Sequence, residues 1–157
     1  MANFVIIERN RLFMIQIYSR FVIYCSIIVP FLLTSCKDDQ YPLPNVPVNL
    51  TINLDLPSYQ PLNAPSGWAY VNGGSRGIVI YRNFDEFVAL DRHSTYNWED
   101  PCAVVEVDAD NFFELVDTCS GSRYSIMTGV VLEGPSVWAL KRYNTSWDGQ
   151  STVSIWN

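Results

Sequence analysis

The sequence is poor in the side chains on which most metal and acid–base sites depend. Histidine occurs once and cysteine four times, and 10 Lys and Arg stand against 16 Asp and Glu, for a formal net charge of −6 at pH 7. An acidic surface repels phosphate backbones, and the chain has no basic run with interleaved aromatic residues. Nucleic acid is therefore not expected as a partner.

The sequence also has no apolar run of the length that a membrane span needs. The run "FVIYCSIIVPFLL" at 21–33 is short and contains Pro30, so it has the character of a signal-peptide core. The "LTSC" that ends at Cys36 resembles the cleavage site of bacterial lipoproteins. This resemblance implies that residues 1–35 are a signal peptide and that Cys36 is lipidated. The alternative is an uncleaved signal anchor in which Cys36 has no role.

The polar "KDDQ" directly after Cys36 is similar to the sorting signal of surface-exposed lipoproteins in Bacteroidetes. It implies anchoring in the outer membrane, facing either the periplasm or the exterior. Residues 36–47 contain three prolines and no periodicity, which is typical of an extended tether. Residues 48–157 are long enough for one domain with its own core.

After the predicted signal peptide, no window of about a dozen residues has apolar side chains at the spacing of an amphipathic helix. Apolar and polar residues alternate strictly from Val48 to Leu56, which predicts a strand with one buried face. Further short strands are predicted at 67–71, 77–82, 87–90, 103–107, 112–116, 129–133, 137–140 and 151–156. Asn72, Gly73 and Gly74 are typical of a hairpin turn, and residues 83–90 could begin with one helical turn. Many short, evenly spaced strands indicate an all-β sandwich or barrel.

The cysteines favour one disulfide. Cys25 is lost with the predicted signal peptide and Cys36 is assigned to the lipid. Cys102 and Cys119 remain as a pair in an oxidising compartment, where a disulfide is the expected state.

The single histidine, His93, has two interpretations. With Asp91 and Asp117 it could form a loose site for a hard divalent ion, but an exposed loop histidine is the commoner case. It has no credible nucleophile to activate, because Ser94 is its neighbour in sequence. Trp98 follows in the same long loop and is the aromatic residue most expected to be exposed. His93 and Trp98 thus mark a candidate binding loop.

Two segments resemble a known family. "GSRYSIMTGVVLEGPSVWALKRYN" (121–144) is similar to the segment that follows the second ligand pair of Rieske iron–sulfur proteins. "FVALDRHSTY" (87–96) is similar to the run that precedes their first ligand pair. Over roughly residues 66–157 the chain most resembles the Rieske-like lipoproteins of Bacteroidetes. The resemblance implies a Rieske-like fold of small antiparallel sheets, with a disulfide joining the two ligand loops at Cys102 and Cys119.

A Rieske cluster needs two cysteine thiolates on one iron and two imidazoles on the other. The resemblance places the four ligand positions on Ser94, Tyr96, Asp117 and Ser120. None of these residues is a cysteine or a histidine, so no iron–sulfur cluster, other metal or cofactor is expected.

These observations together predict a non-enzymatic structural or recognition module of the cell envelope. It would be held to the membrane by its lipid anchor and would bind a protein or a glycan. The alternative from another class is a redox protein, with either an unconventional metal centre or a redox-active Cys102–Cys119 pair.

Overall fold

The structure is a computed structural model that describes residues 41–157. The predicted signal peptide, its cleavage site and Cys36 lie outside the described residues. Within the part of the chain that is described, no helix is both long and apolar enough to cross a membrane.

The described residues form two antiparallel sheets, which confirms the predicted all-β class. The six-stranded sheet has the order β1-β10-β9-β4-β3-β2 and the four-stranded sheet has the order β5-β6-β7-β8. The strands are β1 Asn49–Asn53, β2 Trp68–Val71, β3 Ile78–Asn83, β4 Glu86–Asp91, β5 Val105–Val107, β6 Glu114–Asp117, β7 Arg123–Ser125, β8 Val131–Glu133, β9 Arg142–Trp147 and β10 Thr152–Trp156. A 3₁₀ helix, Pro57–Asn63, links β1 to β2.

The alternation in the first predicted strand gives β1 its buried face. Ile52 and Leu54 are buried, as that pattern requires. Leu56 is half exposed, because the chain leaves the sheet after β1 and enters the 3₁₀ helix at Pro57.

Strands β3 and β4 are covered on both faces. Ile78 and Ile80 of β3 belong to one apolar cluster, which also includes Leu62 of the 3₁₀ helix. Val79, between them in sequence, belongs to a second cluster with Leu115 of the small sheet. Burying each such side chain contributes roughly 1.5–3 kcal/mol. The second cluster therefore holds the two sheets together, and its position explains why β3 is a continuous apolar run.

The predicted hairpin turn between β2 and β3 is confirmed. Gly74 has a φ of +63°, in the left-handed region that favours glycine. A Cβ at this position would collide with the carboxylate of Asp91 and the hydroxyl of Tyr143. Glycine is therefore required here both by backbone conformation and by the close approach of a buried polar group.

The strand predicted at 137–140 is wrong. The main-chain carbonyl of Trp138 accepts a hydrogen bond from the Thr95 hydroxyl at 2.6 Å, and Leu140 N–H donates to the carbonyl of Gly129 at 2.9 Å. The segment is thus bonded to side chains and turns rather than to a neighbouring strand.

Two strands and one turn were not anticipated. Strand β9 carries the mostly polar sequence RYNTSW yet lies between β4 and β10 in the large sheet. Strand β7 is only three residues long. At 83–90 there is no helical turn, because Phe84 and Asp85 form the tight connection between β3 and β4.

The end of the predicted tether lies against the domain. The hydroxyl of Tyr41 donates to the carbonyl of Ala139 at 3.0 Å, and the side chain of Leu43 is buried. Residues 41–47 contain no helix or strand. The part of the 36–47 segment that the structure describes is therefore in contact with the domain.

Candidate functional site

A disulfide joins two loops, of which the first connects the two sheets and the second lies within the small sheet. The first loop, residues 92–104, connects β4 to β5, and the second loop, residues 118–122, connects β6 to β7. Cys102 and Cys119 are bonded, with their Cα atoms 6.2 Å apart, which confirms the predicted disulfide. Both half-cystines are exposed to solvent.

Buried hydroxyl groups form the interior of the first loop. The Ser94 hydroxyl lies 3.1 Å from the hydroxyl of Tyr124, and the Thr95 hydroxyl lies 3.3 Å from the same atom. Thr95 Oγ1 is also 2.7 Å from Ser136 Oγ and donates to the carbonyl of Trp138 at 2.6 Å. These groups bind the first loop to β7 and to the segment that follows β8.

The carboxylate of Asp117 shapes the second loop. Its Oδ1 accepts hydrogen bonds from the N–H groups of Cys119 at 3.0 Å and Ser120 at 3.3 Å. Its Oδ2 accepts the hydroxyl proton of Ser120 at 2.7 Å. An aspartate that bonds the N–H two residues later is a common means of forming a tight turn. The N–H of Ser136 donates to Ser122 Oγ at 3.0 Å, so this loop also contacts the segment after β8.

The four positions that the Rieske resemblance assigns to cluster ligands have other contacts in this structure. Asp117 and Ser120 are bonded to each other, and Ser94 is bonded to Tyr124. Tyr96 is exposed to solvent over 43% of its surface. The residues at these positions thus serve loop structure, and Tyr96 lies at the surface.

The donor groups present do not fit a Rieske cluster. The sulfur atoms of Cys102 and Cys119 are bonded to each other and are not thiolates. Hydroxyl groups are poor iron ligands beside bridging sulfide, and the chain has one imidazole where two are needed. Among residues 41–157, no three His, Cys, Asp or Glu side chains are grouped so that they could hold a metal ion.

Removing the buried Tyr124 hydroxyl tests the importance of the first-loop hydroxyl groups. Tyr124 is fully buried, so Tyr124→Phe leaves its partners Ser94 and Thr95 with fewer buried hydrogen bonds. We expect a loss of about 1–2 kcal/mol in the free energy of unfolding, measured by urea denaturation. Tyr96→Phe removes the same atom from an exposed ring and should change stability by no more than about 0.5 kcal/mol. Equal effects of the two substitutions would contradict a structural role for the buried hydroxyl.

His93 is buried, with 4% of its surface exposed, which corrects the expectation of an exposed loop histidine. Its Nε2 lies 2.7 Å from the carbonyl oxygen of Trp98, and its Nδ1 lies 2.7 Å from the hydroxyl of Ser75. A carbonyl can only accept, so Nε2 carries the proton and the neutral ring accepts the Ser75 hydroxyl proton at Nδ1. Burial lowers the pKa of His93 and outweighs the opposing hydrogen bond to Trp98.

The lowered pKa of His93 predicts a loss of stability in mild acid. The unfolded chain, with a histidine pKa of about 6.5, binds a proton at a pH where the folded protein does not. The contribution of His93 to stability is therefore complete above about pH 6.5 and is lost as the pH falls toward the lower pKa of the folded state.

The measurement is urea denaturation of the wild type and of His93→Gln between pH 7.5 and 5, an interval set by the usual histidine pKa of about 6.5. We expect the difference in unfolding free energy between the two proteins to shrink as the pH falls. A difference that stays constant across this interval would contradict the assignment of a neutral buried imidazole.

Trp98 is half-buried, so it is not the exposed aromatic that was expected. Its ring lies edge-on to His93, with centroids 6.4 Å apart, and its carbonyl also accepts from Arg76 at 3.2 Å. Tyr96 and Val137 are exposed large hydrophobic side chains of this region, the latter exposed over 84% of its surface. Tyr96 and Val137 each follow a residue of the Thr95–Ser136 hydroxyl pair, so they lie at the same end of the domain.

Sequence reasoning missed the role of Asp91, which is buried at the end of β4. Its carboxylate accepts from the N–H groups of Ser75 at 2.7 Å, Arg76 at 3.3 Å and His93 at 2.9 Å. The hydroxyl of Tyr143 donates to it at 2.7 Å. Burial, together with this carboxylate, raises the pKa of Tyr143. A charged residue ending the apolar run "FVALD" was the only available signal, since Ser75, Arg76 and Tyr143 lie far from Asp91 in sequence.

Comparison with known proteins identifies no family for this chain. No family model matches it, and no curated protein matches it. Among solved structures, it is similar to a chain from a complex of reduced oxygenase and oxidized ferredoxin in carbazole 1,9a-dioxygenase. That similarity has a TM-score of 0.46 and 15% sequence identity, and covers 72% of this chain and 94% of the other.

Proposed function

We propose that this is a lipid-anchored protein of the outer membrane whose Rieske-like domain carries no cluster and acts as a non-catalytic structural or binding module. The observation that carries the proposal is the chemistry of the ligand positions. Of those four residues, Ser94, Asp117 and Ser120 have hydroxyl or carboxylate groups that are hydrogen-bonded within the domain. They are therefore unsuited to the chemistry of an iron–sulfur centre and suited to holding the loops in place.

The domain has other means of ordering its two loops. The Cys102–Cys119 disulfide joins them covalently, and both loops bond the segment after β8 through Ser136. In the described residues, no buried side-chain nitrogen or oxygen lacks a hydrogen-bond partner. Loops held by a disulfide and by these hydrogen bonds support a role in presenting a fixed surface to a partner.

Tyr96 and Val137 form the surface that we assign to binding, and we call it the loop-end surface. It takes the role that the sequence suggested for His93 and Trp98. Exposed aromatic and aliphatic side chains on a rigid scaffold can bind a protein or stack on a glycan. The partner proposed is therefore a protein or a glycan of the cell envelope.

The test uses the full chain, produced in a bacterial host that processes lipoproteins and extracted with detergent. We expect an intact mass that begins at a lipid-modified Cys36, no visible absorption, and iron and sulfide far below one cluster per chain. Cys36→Ser is the control and should remain unlipidated. Stoichiometric iron and sulfide would contradict the cluster-free domain, and an unmodified Cys36 in the wild type would contradict the anchor.

The redox alternative is favoured by one observation, the solvent exposure of both half-cystines. Exposed disulfides are more readily reduced than buried structural ones. A redox titration of the purified protein separates the two functions. A reduction potential close to that of the surrounding compartment would indicate switching, and a potential below about −300 mV would indicate a structural bridge.

A further inference from the structure

An open cleft of about 590 Å³ lies beside the β2–β3 turn. Its lining includes the turn residues 72–77, the aromatic residues Tyr59 and Tyr70, and Arg92. Two of the lining residues, Arg76 and Arg92, are positively charged, and none is an aspartate or a glutamate. In a chain with a net charge of −6, this cleft is a local concentration of positive charge.

The guanidinium group of Arg92 is held in a fixed orientation. Its Cζ lies 3.9 Å from the centre of the Tyr70 ring, and its Nε donates to the carbonyl of Val105 at 3.0 Å. Its acidic neighbour is Glu106, at 3.5 Å, whose side chain is 62% exposed. The Arg92 side chain is only 18% exposed, but Glu106 faces solvent and 3.5 Å is a long contact, so the pair is weak and would compete poorly with an anion bound in the cleft.

Arg76 is held by main-chain carbonyl groups and not by a carboxylate. It donates to the carbonyls of Asp100 at 2.5 Å and Trp98 at 3.2 Å. Both acceptors are neutral, so they orient the guanidinium group without cancelling its charge. The buried carboxylate of Asp91 lies behind the turn, where it accepts from the N–H of Arg76. The cleft lining itself therefore contains two cations, and the nearby anions Asp91 and Glu106 are not part of it.

Ser75 adds a hydroxyl group of fixed position to the cleft lining. Its N–H donates to Asp91 Oδ2 at 2.7 Å, and its hydroxyl is bonded to Nδ1 of His93 at 2.7 Å. The side chain therefore cannot rotate freely. His93 accepts the proton of this hydroxyl at Nδ1, so an anion that draws the proton toward itself changes the environment of the imidazole.

We propose that this cleft binds a small ligand bearing an oxyanion, a carboxylate or a phosphate, through the guanidinium groups of Arg76 and Arg92 next to the Ser75 hydroxyl. Guanidinium groups offer paired N–H donors that match the oxygens of both anions. Groups already oriented by the protein lose little freedom when they bind. The site depends on neither the lipid anchor nor the loop-end surface, so the two proposals can fail separately.

The experiment observes the imidazole of His93 by NMR while the full chain in detergent is titrated with inorganic phosphate or with citrate. Ionic strength and pH are held constant. Because the chain has one histidine, the signal needs no assignment. We expect a saturable shift, and a tighter midpoint with either probe tells which oxyanion the site prefers. A shift that fails to saturate with both probes would overturn the proposal.

Arg92→Gln should weaken binding about tenfold, as expected for the loss of one hydrogen bond between charged groups. The matched control is Arg142→Gln, which removes the same charge from an exposed residue that lines a different cleft. Arg92→Lys keeps the charge but loses the paired donors, so its affinity for the anion should lie between those of the wild type and Arg92→Gln. It provides the measurement if Arg92→Gln does not fold. Equal affinities of the Arg92 and Arg142 variants would show that only the net charge of the protein affects binding, and would overturn the proposal.

Discussion

Asp91→Asn is expected to lower the free energy of unfolding by about 3 kcal/mol, since hydrogen bonds to a charged group contribute roughly 1.5–3 kcal/mol each. The carboxylate accepts from three main-chain N–H groups and from the hydroxyl of Tyr143. An asparagine keeps one acceptor oxygen and turns an N–H₂ group toward donors. At least one buried N–H then loses its partner, and the turn at Ser75 loses its connection to β4.

The measurement is urea denaturation followed by tryptophan fluorescence. Asp85→Asn, at an exposed residue of the β3–β4 connection, makes the same chemical change and should alter stability by no more than about 0.5 kcal/mol. Tyr143→Phe removes one of the four donors and should cost about 1.5 kcal/mol, which provides a second measurement if Asp91→Asn does not fold. Equal stability of the Asp91 and Asp85 variants would contradict the role of the buried carboxylate.

Removal of the disulfide by Cys102→Ser with Cys119→Ser should lower stability by about 3 kcal/mol. The two cysteines are 17 positions apart, and the bond restricts the unfolded chain by closing that loop. Because the exposed half-cystines add little to the core, we expect the two sheets to remain folded. The stability falls mainly because the unfolded chain gains conformational entropy when the bond is removed.

Stability of the double variant is compared with that of the wild type in the presence and absence of a reductant. The reductant should lower the stability of the wild type to that of the double variant and leave the double variant unchanged. Retention of wild-type stability in the double variant would mean that the hydroxyl groups of Ser94, Thr95 and Tyr124 order the loops without help.

Local sequence patterns predicted much of the sheet structure. The alternation through β1 predicted one buried face, and the apolar runs of β3 and β4 predicted strands, which the structure buries on both faces. Glycine at the β2–β3 turn indicated a left-handed backbone conformation, which Gly74 adopts. These features depend on neighbouring residues alone, so a single sequence contains the information.

Local sequence patterns did not predict the structure of the polar segments. Strand β9 lacks an apolar run and becomes a central strand only because β4 and β10 offer hydrogen bonds on both sides. The strand predicted at 137–140 has apolar residues but no neighbouring strand to pair with. Strand formation here depends on partners distant in sequence, and composition does not reveal them.

For the candidate site, the sequence by itself determined that the chain has one histidine, where a Rieske cluster needs two imidazoles. It also determined that Cys102 and Cys119 would pair. Only the tertiary structure decided that His93 is buried against Ser75, that Asp91 supports the turn beside it, and that Arg76 and Arg92 line one cleft. Side-chain types are written in the sequence, but burial and hydrogen bonding arise from contacts between segments that lie far apart along the chain.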